Sequence, residues 1–174
     1  MPFSINNFRA NLTGQGARPN LFEITVPFPT SVATGEAGQK ITFMCKTAQL
    51  PGADLGLVEV PYFGRNIKLA GNRTFAEWTT TIINDEDFAV HAGLTNWMNG
   101  INTHAGNERA ITGTDYQVDA VVKQYAKTGD VAKEITIINC WPASVAPIEL
   151  GWDFSLNDFT RFKDRMFSVA QTSR

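Results

Sequence analysis

The amino-acid sequence predicts one β-rich domain with a single helix and an oversized hairpin, on three observations. Apolar and polar residues alternate in most periodic segments, one segment alone has clear helical spacing, and Gly and Pro punctuate the chain between them. The length of 174 residues is enough for about one domain of roughly 150 residues with an excursion attached. With 15 Lys and Arg against 17 Asp and Glu, the formal charge is −2, which excludes a basic surface over most of the molecule but leaves room for a local patch. At 43% hydrophobic and 18% charged residues the chain is too apolar for disorder. No uninterrupted apolar run approaches the ~18 residues of a membrane span.

Each element follows from local pattern. The amino-terminal lead over 1–19 is expected to be extended, with a polar stretch from Asn11 to Asn20 that carries Gly14 and Gly16, and Phe22, Ile24 and Val26 then alternate with Glu23 and Thr25 as a half-buried strand. Beyond a loop marked by Pro27, Pro29, Gly35 and Gly38, the spacing of Ile41, Phe43 and Cys45 predicts a second strand. Residues 57–69 read as a hairpin turning near Gly64, with arms reaching roughly 17 to 23 Å. Pro61 cannot donate to a ladder, so this hairpin has an edge to offer. Thr74 to Ile83 predicts one strand, with Trp78, Thr80 and Ile82 on one face.

Asn84 to Asp87 places a capping side chain and three carboxylates where a helix exposes unpaired N–H groups, which predicts a helix over 85–101. Val90, Leu94, Trp97 and Ile101 form its apolar stripe. Val118, Ala120 and Val122, then Ile135 and Ile137 beyond Thr128-Gly129-Asp130, predict a hairpin. Pro142 and Pro147 are expected to bracket a loop, with Ile148, Leu150, Trp152 and Phe154 forming another strand. The tail from Phe159 fits either period and is read as strand.

Little of this composes a reactive centre. His91 and His104, the only histidines, form no HExxH and no triad with a nucleophile, so no enzyme chemistry is assigned. Cys45 and Cys140 have no second pair for a metal knuckle and read as buried free thiols in a reducing compartment, since the residues from Met1 to Phe8 lack the pattern of a secretory signal. Asp85-Glu86-Asp87 lacks the Gly hinge and distal Glu of a calcium loop, and the helix dipole explains it instead. No metal and no cofactor are expected. Arg161, Lys163 and Arg165 near aromatics admit either a nucleic-acid platform or an ordinary solvated face. An interaction or structural protein is the leading class.

Particular residues carry more than composition. Ala17-Arg18-Pro19-Asn20-Leu21-Phe22, Ala48-Gln49-Leu50-Pro51-Gly52 and the run from Val60 to Phe75 resemble the tail tube proteins of contractile-tailed bacteriophages. So do Trp78-Thr79, Ile83 to Asp87, Val122 to Tyr125, Trp141-Pro142 and Leu150 to Asp153, in order along nearly the whole chain. The tail from Phe159 to Arg174 departs from the family's closing aromatic strand, and a baseplate tube initiator or type VI secretion ring protein of the same fold is the alternative reading.

The resemblance implies two packed antiparallel sheets, as a sandwich or partial barrel, with a flanking helix and a protruding hairpin in a single domain over 1–174. It implies six copies closing into a ring, rings stacking into a hollow tube, and double-stranded DNA passing through the lumen without sequence-specific binding. The implied partners are further copies of the chain, the tail sheath protein, the tape measure protein, and the baseplate and tail terminator proteins, in a virion tail assembled in the host cytoplasm. The hairpin candidates for contact between rings or subunits are Val58, Val60, Tyr62, Phe63, Arg65, Ile67, Leu69 and Arg73. The polar parity of the strands offers Glu59, Glu77, Thr79, Asp119 and Lys123 as lumen-facing candidates in a neutral or acidic wall over which DNA would slide.

Overall fold

One fifteen-residue strand organises the molecule by belonging to two sheets at once. The computed structural model describes residues 4–12, 16–32, 35–109, 111, 114–153, 160–167 and 170–173. In chain order the elements are α1 (Ile5–Asn11), β1 (Phe22–Thr25), α2 (Ala37–Met44), β2 (Cys45–Ala48), β3 (Ala53–Tyr62), β4 (Arg65–Phe75), β5 (Trp78–Ile83), α3 (Ala89–Ile101), β6 (Val118–Tyr125), β7 (Val131–Val145), β8 (Arg161–Phe167) and β9 (Ala170–Ser173). The long strand is β7. Its first half pairs with β6 on one edge and β9 on the other, and its second half pairs with β8.

The change of sheet happens at Asn139. Its backbone is left-handed at φ 53°, a conformation asparagine tolerates better than most residues. Its N–H leaves the ladder and donates to Asp119 Oδ1 at 2.9 Å, beside a register shift in β6 between Val118 and Ala120. An extra residue of this kind bends and twists a strand, which lets β7 turn from one layer into the next. β8 and β9 follow it in continuous register, from Trp141 opposite Phe167 to Ile138 opposite Ala170. The result is a first sheet, β1-β6-β7-β9, and a second, β7-β8-β5-β2, all antiparallel.

The core fills the space inside this bend. Ile24, Ala120, Val122, Ile137 and Cys140 come from the first sheet, Trp78, Ile82, Phe162 and Met166 from the second, and Ile41, Val90, Leu94 and Trp97 from α2 and α3. The two helices pack on each other where α3 carries Gly93: a Cβ there would lie 2.7 Å from Ala37 Cβ. Gly93→Val is therefore expected to push the helices apart and cost about 2 kcal/mol, read as a lower midpoint in urea unfolding.

Several sequence expectations are corrected here. Residues 41–45 are the end of α2 and the start of β2, because Ala37, Ile41 and Met44 face the core at helical spacing while Phe43 is exposed. The lead is not extended throughout but carries α1. The helix expected from residue 85 begins at Ala89, behind left-handed Phe88, so no carboxylate lies in its first turn. Asp85 and Asp87 instead accept hydrogen bonds from Lys40 Nζ at 2.9 and 3.1 Å, tying this turn to α2.

The strand expected over 74–83 is broken after Phe75, which leaves Arg73, Thr74 and Phe75 in the hairpin arm and makes that arm longer than 57–69. Pro142 is buried inside β7 rather than at a loop. Beyond the bend β7 bonds only to β8, at a register shift after Pro142, so the missing N–H interrupts no ladder on its other side. Residues 148–153 form no strand: Leu150 and Trp152 are exposed, and Phe154 lies outside the described residues. The strand reading of the tail holds, as β8 and β9.

Candidate assembly surfaces

The hairpin of β3 and β4 stands away from the core. All ten residues of β3 and most of β4 are exposed, and the two strands pack chiefly on each other. Cross-strand pairing sorts the side chains into two faces, because successive residues point to opposite sides. Val58 lies opposite Leu69, Val60 opposite Ile67 and Tyr62 opposite Arg65, forming an apolar face with an arginine at its end. The other face pairs Leu57 with Ala70, Glu59 with Lys68 and Pro61 with Asn66, whose Nδ2 donates to Glu59 Oε2 at 3.2 Å.

The base and tip of the hairpin are both shaped by backbone. Near the base a bulge separates Leu55 from Leu57, where Gly56 and Gly71 approach so closely that a Cβ on Gly71 would sit 3.1 Å from Gly56 O. Arg73 lies beyond it, opposite Leu55. At the tip, Phe63 and Gly64 both have positive φ, as a two-residue turn demands. Asn or Asp is usual at the first of these positions, and here a phenylalanine occupies it, 90% exposed and edge-on to Tyr62 at 4.6 Å. A bulky residue in this backbone region is strained, and here no core contact offsets the strain.

A two-stranded ribbon alone is marginal in water, and a contiguous apolar face on it is an aggregation hazard unless covered. Four further edges are open among the described residues: β1 beyond β6, β2 beyond β5, β9 beyond β7, and the second half of β7 beyond β8. The chain thus offers both unpaired backbone and uncovered apolar surface. None of its helices is long and apolar enough to cross a membrane, among the described residues.

The five lumen candidates do not share one wall. Glu59 is on the hairpin. Asp119 and Lys123 lie on the outer face of the first sheet, where Glu23, Lys123 and Glu134 are directly opposite one another across β1, β6 and β7. Thr79 lies on the outer face of the second sheet, opposite Arg165, and Glu77 just before β5 is 3.7 Å from that guanidinium. Parity distinguishes inside from outside within a strand, but it carries no information about which layer the strand joins.

His91 and both cysteines are structurally occupied. His91 packs edge-on against Phe162 at 5.2 Å, and His104 is exposed in a loop. Both cysteines are free thiols, and burial pushes each up to about 12, far from the thiolate that chemistry requires.

Asp164 is the polar group that alternation concealed. It points inward from β8, 1% exposed, accepts a hydrogen bond from the Thr80 hydroxyl, and leaves Oδ2 without a partner. Burial pushes its carboxyl up to about 6, with the Thr80 bond opposing only in part. Between the unfolded value of 3.8 and about 6 the folded chain keeps a proton that the unfolded chain releases, so stability falls as pH rises through that window and stays reduced above it. Asp164→Asn is expected to remove this dependence and raise stability at pH 7 by about 1–3 kcal/mol, checked by thermal unfolding across a pH series.

Comparison with known proteins follows the same outline. A family model described as phage tail tube protein matches residues 17–166. The tail tube protein gp19 of Enterobacteria phage T4 is 37% identical over 159 residues, covering 89% of this chain and 90% of that protein. Among solved structures, the sheath/tube terminator of the PVC extracellular contractile injection system superposes with a TM-score of 0.62 at 12% identity, covering 91% of this chain and 96% of the other. A chain of the PVC sheath-tube complex in its extended state does so with a TM-score of 0.53 at 13% identity, covering 99% of each chain. At such identities the two structures speak for the fold alone.

Proposed function

Because this chain belongs to the phage tail tube protein family, a structural family of the virion tail, we propose that six copies close into a ring and that rings stack through the β3–β4 hairpin. The observation that carries this reading is the hairpin's uncovered apolar face. Val58, Val60, Tyr62, Ile67 and Leu69 are 41–60% exposed on a ribbon that projects from its own domain, so a neighbouring copy must cover them. Phe63 at the tip and Arg65 beside it extend the same contact, and Arg73 serves it at the base. Ring closure uses the open strand edges, where backbone groups unpaired in one copy meet those of the next and the edge hazard disappears.

The tube conducts double-stranded DNA, surrounds the tape measure protein during assembly in the host cytoplasm, and is enclosed by the sheath, with baseplate and terminator proteins at its ends. No bond is made or broken in these tasks. Among the lumen candidates, Glu59 belongs to the stacking hairpin, which leaves Glu77 and Thr79 on the second sheet and Asp119 and Lys123 on the first as candidates for the wall. Quantitative mass spectrometry of purified virions tests the assignment. Hundreds of copies per particle are expected of a tube, and a handful would assign the chain to a baseplate initiator instead.

A further inference from the structure

Two uncovered apolar surfaces of this chain match each other in length and in charge. One is the hairpin face described above. The other is on α1 and its C-cap, where Ile5, Phe8 and Leu12 stand three and four residues apart and form one stripe, 67%, 62% and 40% exposed. Arg9, four residues after Ile5, borders the stripe, while Asn7 and Asn11 hold the opposite side, with Asn11 Nδ2 donating to the Asn7 carbonyl at 2.8 Å. No residue of α1 is buried, and no side chain caps its start. A helix of seven residues with neither support is marginal in water, so the stripe calls for a partner.

Resting on the stacking reading, we propose that α1 of one copy lies on the apolar hairpin face of a copy in the adjacent ring, with Ile5, Phe8 and Leu12 against Val58, Val60, Tyr62, Ile67 and Leu69. Within one chain neither surface covers the other, since both are exposed, so the occupant is a second copy. The lengths agree: Ile5 to Leu12 spans about 10 Å at ~1.5 Å per residue, and Val58 to Tyr62 about 13 Å at ~3.3 Å per residue. The widths agree as well, because a helix about 10 Å across covers two strands about 4.8 Å apart together with their side chains. Charge then sets the direction. At the bulge Leu55 and Leu57 of β3 oppose Arg73 and Ala70, so the extra residue belongs to β4 and alternation along β3 is unbroken. Asp54 therefore shares the face of Val58, Val60 and Tyr62, toward the base of the hairpin. Neither Asp54 nor Arg9 has an ion-pair partner among the described residues. Pairing Arg9 with Asp54 satisfies both and keeps this cation away from Arg65 at the tip.

The test is the protein concentration at which tubes form, measured by sedimentation and electron microscopy on full-length variants. Phe8→Asp is expected to raise it at least about tenfold, because each contact would bury an unpartnered carboxylate. Phe8 lies outside the core, so the melting temperature of the subunit should stay within about 2 °C of wild type. Arg9→Glu is expected to raise the concentration about threefold, and Asp54→Arg in the same chain to restore the wild-type value, a rescue that mere loss of the helix would not give. Wild-type polymerisation by Phe8→Asp or by Arg9→Glu, or an Arg9→Glu defect that Asp54→Arg does not relieve, overturns the proposal. Failure of the stacking reading gives a different result, since Val60→Asp would then polymerise too. Loss of this inference alone leaves Val60→Asp blocked and Phe8→Asp free to stack.

Discussion

Replacing Val60 with aspartate is expected to leave a folded, soluble subunit that forms no tubes. Val60 faces Ile67 in the middle of the apolar face and touches no core element, so the isolated subunit has little to lose. The substitution brings a modest strand-propensity cost of up to ~1 kcal/mol, and the melting temperature should fall by less than about 4 °C. In the stacked assembly the same carboxylate would be buried without a partner, at a cost of several kcal/mol for every copy in every ring. Sedimentation and electron microscopy at concentrations where wild type polymerises would show subunits or rings alone. Lys68→Ala, on the opposite face of the same hairpin, is the control and should still polymerise. Tubes of normal length from Val60→Asp would remove the hairpin from the stacking contact.

Trp97→Ala should act in the opposite way, unfolding the subunit without touching any assembly surface. The indole is fully buried, packs against Phe28 at 5.4 Å between centroids, and donates from Nε1 to the Tyr116 carbonyl at 2.9 Å. Truncation removes the ring, leaves a cavity between α3 and the core, and strands the carbonyl, for about 3–5 kcal/mol. Against a total stability of roughly 5–15 kcal/mol this threatens folding at 37 °C. Circular dichroism should show a melting temperature lower by about 10 °C or more, and an unchanged one would mean that α3 is not anchored through this residue. The pair of variants separates folding from assembly.

How far the sequence could be read follows from where each element's determinants lie. The apolar stripe Val90, Leu94, Trp97 and Ile101, the alternations in β5, β6 and β7, and the Gly64 turn are local, and each is found where the pattern places it. Ile41, Phe43 and Cys45 misled because three residues two apart fit a strand, while Ala37 and Met44, which complete the helical face, lie outside that window. α3 starts only after left-handed Phe88, and Asp85 is bonded instead to Lys40, 45 residues away in sequence, a partner that no local pattern contains. The bend at Asn139 and the resulting four open edges depend on pairing across distant strands.

The proposed contact residues share one element because that element is local. The eight hairpin candidates lie together on β3, β4 and their turn, though pairing was needed to show which of them share a face. The lumen set scattered over three surfaces because alternation predicts outward polarity equally for any sheet. Asp164 went unnoticed for the same reason in reverse, as a charged residue on the inward parity of a short strand.

Electron microscopy of the purified, concentrated protein tests the central claim most directly. The account predicts hollow rods of stacked rings, with the apolar hairpin face of one ring seated on the next in a helical reconstruction. A particle that stays a single compact subunit under every condition favouring polymer growth would contradict it.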